Sequence, residues 1–125
     1  MASAVSFRIA SEDWEFEQIH RLNYQTFVEE IPQHRPNADG MLVDSFHEEN
    51  TYLIDVRDRR LVGMMALRGR RPFSLDRKVP DVDRFLPPAR RPCEIRLLAT
   101  TLDARNGVVF RGLVQLLTRH AIEQA

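Results

Sequence analysis

The stretch that most restricts how this chain can fold is residues 93–125. Residues 93–100, CEIRLLAT, read as a short apolar strand, and 102–107 as a turn that closes with Arg105, Asn106 and Gly107. From Val108 onward, Val109, Phe110, Leu113, Val114, Leu116, Leu117 and Ala121 recur at helical spacing, with Arg111, Gln115 and Arg119 away from them. A strand that runs through an Arg/Gly turn into a helix leaves the helix's first N–H groups unpaired, with the positive end of its dipole behind them. Such a corner binds anions, phosphates above all. The arginine adds charge, and the glycine lets the backbone approach the anion closely.

Within the strand, Glu94 and Arg96 share one face, and Cys93, Ile95 and Leu97 share the other, which suits a core. A carboxylate beside an arginine on a central strand has two readings. It is an ion pair that holds the fold, or it is a base that takes a proton from a substrate. Cys93 follows Pro92 and has no histidine near it in sequence, so it reads as buried filler and not as a nucleophile.

Upstream, residues 6–10 alternate polar and apolar as a first strand does. Ser11 reads as the N-cap of a helix whose first turn carries Glu12, Asp13 and Glu15. Phe16, Ile19, Tyr24, Phe27, Val28 and Ile31 fall on one broad face of that helix, and Pro32 ends it. On periodicity alone, Tyr24 and Phe27 are core residues. Residues 34–40 form a loop, and 41–49 read as a short helix with Leu42, Val43 and Phe46 on one side. Asp44, His47 and Glu48 would meet on that helix, but a histidine among exposed carboxylates lacks a second strong ligand, so no metal is expected. His20 and His120 read as ordinary, partly exposed helix residues. Residues 50–56 and 60–68 form a hairpin about Asp58 and Arg59, and the unbroken apolar run of the second strand puts it at the sheet centre. Pro72, Pro80, Pro87, Pro88 and Pro92 exclude regular structure over most of residues 69–92. A helix, a hairpin, a further strand and a last helix suit an antiparallel sheet with helices packed on it, an α+β fold.

Composition narrows the partners. At 125 residues the chain is one domain, and 43% apolar with 29% charged residues excludes wholesale disorder. Zero net charge hides an asymmetry: residues 1–56 hold 3 Lys/Arg against 11 Asp/Glu, and residues 57–96 hold 12 against 5. A basic block attracts phosphates, nucleic acid or acidic proteins, or it merely solvates a strand edge and a loop. No stacking motif or nucleic-acid module accompanies the charge, which turns the reading away from nucleic acid. A single cysteine forms no internal disulfide and suits a reducing cytoplasm. No apolar run is long enough to span a bilayer, and residues 1–6 lack the pattern of a secretory signal.

The run from Glu94 to Ala99, with Arg105 six residues on and Gly107 after it, resembles the central strand and pyrophosphate loop of the GNAT acyltransferase superfamily. Residues 22–30, LNYQTFVEE, are similar to the first-helix segment of its autoinducer-synthase-like branch, which includes homoserine-lactone synthases and long-chain N-acyl amino acid synthases. The superfamily loop usually reads Arg/Gln-x-x-Gly-x-Gly/Ala. Here Gly107 comes two residues after Arg105, and Gly112 lies inside the helix. Leu97 stands where the homoserine-lactone synthases carry an arginine.

The resemblance implies a three-layer α/β fold, a mostly antiparallel central sheet with helices on both faces. It implies transfer of an acyl group from acyl-CoA (acetyl-CoA or longer) or from an acyl carrier protein to the amine of a small molecule or amino acid. Backbone groups near Leu98, Ala99 and Thr100 would hold the pantetheine arm. Arg105, Asn106, Gly107 and Val108 would take the pyrophosphate, and Glu94 the proton of the amine. Tyr24, Phe27, Phe73 and Arg96 would border the acyl chain and acceptor. The basic, apolar segment before the strand would face an acidic carrier protein. In the superfamily a further strand, a helix and a hairpin follow the pyrophosphate helix, and this sequence stops at Ala125. The chain is then a partial domain, a non-catalytic relative that docks an acidic partner, or one half of a homodimer whose second copy covers the open edge.

Overall fold

The computed structural model describes residues 5–124. Four strands, β1 (Val5–Ile9), β2 (Thr51–Arg57), β3 (Arg60–Arg68) and β4 (Glu94–Thr100), form one sheet in the order β1-β2-β3-β4, and every neighbouring pair is antiparallel. Helix α1 (Asp13–Tyr24) packs on one face and α3 (Val108–Glu123) on the other, so the expected α+β architecture with helices on both faces is the one observed. A four-residue helix, α2 (Leu75–Lys78), sits within the proline-rich connection.

Alternation along the strands divides the core into two layers. Ile54, Val56, Met64 and Ala66 meet Ile19 and Leu22 of α1, with Phe16, Phe27 and Leu97 around them. Leu53, Val62, Met65 and Leu67 meet Val109 and Leu113 of α3, flanked by Phe7, Leu116 and Leu117. A Cβ on Gly63 would collide with Val109, and one on Gly112 with the Phe7 ring, so α3 lies close to the sheet only because both positions are glycine. The hairpin turns where expected: Asp58 and Arg59 both have positive φ, 51° and 63°, the conformation that matches a two-residue turn to the twist of its strands.

Three local expectations are corrected. Helix α1 starts at Asp13 with Glu12 at its cap, and the capping acceptor is inside the helix: the Glu15 carboxylate takes the N–H groups of Ser11 (2.9 Å) and Glu12 (3.0 Å). The helix does not run regularly to Pro32. From Gln25 to Glu30 it widens into a π turn, closed by the Ile31 N–H to the Thr26 carbonyl at 2.8 Å. The extra residue carries Ile31 off the core face, where periodicity had placed it, to 44% exposure. Residues 41–49 do not form the expected helix: 41–44 have no regular structure, 45–46 turn, and His47–Glu49 is a single 3-10 turn.

β4 carries a bulge. Ala66 faces Leu97 and Leu67 faces Ile95, which leaves Arg96 as the extra residue. Strict alternation is broken there. Leu97 turns to the α1 core, while Ile95 is 50% exposed on the other face. Cys93, expected to be buried, is exposed.

Candidate functional site

An open cleft of about 430 Å³ lies where the π turn, the end of β4 and the start of α3 meet. Its walls are Thr26, Phe27, Glu30 and Ile31 on one side, Leu98, Ala99 and Thr100 along β4, and Ala104, Arg105, Gly107 and Phe110 on the other. Phe110 belongs here more than to the core, being 51% exposed. Of the residues singled out from the sequence, Phe27, Leu98, Ala99, Thr100, Arg105 and Gly107 come together in this cleft.

The floor is set by β4, an edge strand among the described residues, whose alternate N–H and C=O groups point away from β3. Gly107 has φ of 88° and caps α3, a left-handed conformation that a side chain would strain. A Cβ there would meet nothing within 4 Å, so the backbone is open to an approaching anion. The corner is not empty of partners, however. Asn106 turns its Oδ1 onto the Val108 N–H at 3.1 Å and takes up one donor of the helix start. Arg105 donates through Nη1 and Nη2 to both carboxylate oxygens of Glu30 at 2.6 and 2.7 Å. It also holds Thr100, Nε to the hydroxyl at 3.3 Å and Nη2 to the carbonyl at 3.2 Å. The guanidinium's hydrogen bonds draw the Glu30 carboxyl below its ordinary pKa. Sequence reasoning missed Glu30, Thr26 and Ile31. Thr26 and Glu30 lie in the 22–30 segment that carried the resemblance, but neither was singled out, and the partner of Glu30 lies 75 residues away.

Asn106 and Val108 sit at the corner without lining the cleft, and the other four singled-out residues lie away from it. Glu94 sits at the opposite end of β4, where its carboxylate accepts the Ser74 N–H (3.0 Å), the Ser74 hydroxyl (2.7 Å) and the Leu75 N–H (3.1 Å), with Arg96 at 3.7 Å. Burial alone would raise its pKa, but these donors and the arginine bring it below the ordinary carboxylate range. A carboxylate this well satisfied is a weak proton acceptor, and in this geometry Glu94 anchors the start of α2. Arg96 makes a two-pronged pair with Asp44, Nε at 3.0 Å and Nη2 at 2.8 Å, and stacks on the Phe46 ring. Asp44 accepts also from Asn50 at 2.7 Å. Arg68, buried to 2% exposure, stacks on the same ring, pairs with Glu49 and donates to the Pro72 carbonyl. Tyr24 is buried with its hydroxyl between the Asn37 carbonyl (3.2 Å) and N–H (3.1 Å), so it pins the loop after the π turn. Phe73 is buried beside Ser74, against the Arg71 guanidinium.

A wider groove of about 600 Å³ opens at the far end of α3, between Leu117, His120 and Gln124 and the segment 89–93 that includes Cys93. It shares no residue with the strand–turn–helix corner. Among the described residues no group of three or more His, Cys, Asp or Glu is arranged to hold a metal ion, and no helix is long and apolar enough to cross a membrane.

A family profile described as an acetyltransferase (GNAT) domain matches residues 22–115, which takes in α1's last turn, the sheet from β2 onward and the first half of α3. The chain belongs to the GNAT family. Comparison with curated proteins and with solved structures gave no match. GNAT domains transfer an acyl group from an acyl-CoA donor to an amine, and the corner at Arg105 suits the phosphate end of such a donor on three counts: a cationic side chain in the cleft, an open glycine backbone, and the positive end of α3. In this GNAT domain the strand-to-helix corner brings together a cationic side chain, an open glycine backbone and a helix start.

Proposed function

We propose that this protein is an N-acyltransferase whose acyl donor lies along the free edge of β4, with its phosphates at Arg105, Gly107 and Val108. The observation that carries the reading is the cleft itself, in which Leu98, Ala99, Thr100, Arg105 and Gly107 converge. Outward backbone groups of β4 would hold the pantetheine amides, and Phe27, Ile31 and Phe110 give the thioester end an apolar wall. In the transfer, the amine nitrogen forms the new C–N bond as the C–S bond breaks, and the proton it sheds ends on the departing thiolate. What the chain supplies is orientation, with outward N–H groups of β4 near the carbonyl oxygen as charge develops there. The similarity of residues 22–30 to the autoinducer-synthase-like branch supports a small amine or amino acid as the acceptor.

A carrier-protein donor is a further part of the proposal. It is supported by the exposed segment 70–91, where Arg70 is 78% and Phe85 73% exposed, a basic and apolar surface complementary to an acidic protein. The same surface favours the second reading, a binding module that docks an acidic partner without catalysis. Titration with acetyl-CoA separates the two. Saturable binding that Leu98→Trp abolishes, together with thiol release when amines are added, is the expected result. Absence of acetyl-CoA binding to the folded protein overturns the donor assignment and leaves the docking module.

A further inference from the structure

We propose that Glu30 is an internal competitor for the donor's diphosphate: its carboxylate occupies Arg105 in the free protein and must be exchanged for phosphate when the donor binds. The inference rests on the donor reading above and names the group that regulates access to that site. Both oxygens of Glu30 face both terminal nitrogens of Arg105, the same two-pronged geometry that a phosphate accepts from a guanidinium. Both residues line the cleft, so the pair stands where a donor would enter.

Three features make this pair exchangeable where others nearby are not. Its side chains are 38% and 37% exposed, and such pairs are weak and screened by salt, whereas the Arg96–Asp44 pair is at 12% and 9%. Arg105 keeps its bonds to the Thr100 hydroxyl and carbonyl without Glu30, so the guanidinium remains placed when the carboxylate leaves. Glu30 is also the last residue of the π turn, which ends at Ile31 in extended backbone. A π turn holds one residue more than the α-helix it interrupts, and is frequent at functional sites. Glu30 is therefore at the exposed end of that turn, past the buried Thr26 and Val28, where its side chain can swing off Arg105 while they stay in place.

A donor carrying a diphosphate competes with one carboxylate and gains the freed arginine. A phosphate-free pantetheine thioester gains nothing from the exchange. Glu30 would thus set how strongly this cleft prefers the phosphorylated form of its donor.

The experiment is calorimetric titration of the wild-type chain and of Glu30→Gln with CoA and with pantetheine. The variant is expected to bind CoA roughly five- to tenfold more tightly, since it loses a weak competing pair and a charge that repels phosphate. Pantetheine affinity stays unchanged. In the Arg105→Gln background, Glu30→Gln should no longer alter CoA affinity beyond the loss of one repulsive charge, about twofold. Equal or weaker CoA binding by Glu30→Gln overturns the competitor role while leaving the donor cleft standing. Absence of CoA binding in both proteins overturns cleft and competitor together. Equal gains for CoA and pantetheine also overturn it, because the effect would then come from opening the cleft and not from the diphosphate.

Discussion

The two ends of β4 carry the same kinds of residue and use them in opposite ways. At the start, Glu94 and Arg96 are each tied to several partners, sit at 13% and 12% exposure, and close the region between α2, residues 44–50 and the sheet. At the end, Arg105 and Glu30 meet across an open cleft with one ion pair, and a third of each side chain faces water. A charge surrounded by fixed donors is part of the fold, and removing it leaves its partner stranded. A charge whose ionic partner is itself exposed is available to a ligand. On the proposed reading the first end is structural and the second binds the donor, whereas the resemblance implied Glu94 as the proton acceptor.

The most damaging change should be at the closed end. Asp44→Ala strips Arg96 of both its bonds to Asp44, leaving it only the Glu94 carboxylate at 3.7 Å, while the guanidinium stays 12% exposed against the Phe46 ring. Breaking one side of a buried pair costs about 3–5 kcal/mol, so urea unfolding should show a large drop in midpoint with little change in slope. A shift below about 1 kcal/mol, the size of a surface pair, would mean that Arg96 finds water or another partner and that the two ends are not so different.

Glu94→Gln comes next and decides between anchor and base. The amide keeps one acceptor oxygen for the Ser74 and Leu75 donors and loses the charge facing Arg96. A stability loss of about 1–3 kcal/mol is expected, with turnover per folded molecule nearly unchanged. Unchanged stability with turnover reduced a hundredfold or more would restore the proton-accepting role.

Acid should act on the closed end as well. Glu94 and Asp44 both have folded pKa values below their ordinary ones: burial raises each, and the bonds from Ser74 and Leu75 to the first and from Arg96 and Asn50 to the second outweigh it. A depressed carboxyl binds fewer protons folded than unfolded, so its contribution is complete above the ordinary range and is lost as pH falls through the folded value. Wild-type stability should therefore decline below about pH 4, and Glu94→Gln should show a shallower decline over the same window. Parallel curves for the two proteins would mean that Glu94 is not held in its charged form.

Much of this arrangement was legible in the sequence where the signal is local. The Asp58-Arg59 hairpin, the apolar run of β3 and the Arg-x-Gly corner at 105–107 are each set by a few adjacent residues, and the fold class followed from their order. What the sequence hid depends on insertions that shift register. One extra residue in the π turn moved Ile31 from core to cleft, and one extra residue at Arg96 sent Ile95 outward and Leu97 inward. Neither insertion has a compositional mark. The partners of the charged residues were hidden for another reason: Glu30 and Arg105 are 75 positions apart, and Asp44 and Arg96 are 52 apart. Adjacency in sequence suggested Glu94–Arg96 as the central pair, yet at 3.7 Å it is the longest of the contacts either residue makes there.

The smallest structural effect, and the sharpest contrast, is expected at Arg105. Replacing it by glutamine removes the Glu30 pair and the link from guanidinium to Thr100, but both partners remain in contact with water, so thermal and urea midpoints should stay where they are. CoA affinity should fall, by a factor of about ten for one lost charge-assisted contact to phosphate, and the fall should shrink as salt is added. Pantetheine should bind the variant and the wild type alike. Asp44→Ala read in the same assays gives the opposite pattern, a large loss of stability with CoA affinity retained by the molecules that remain folded. If Arg105→Gln instead unfolds the protein, or lowers pantetheine and CoA binding equally, the open end of β4 is structural too, and the division of labour along the strand disappears.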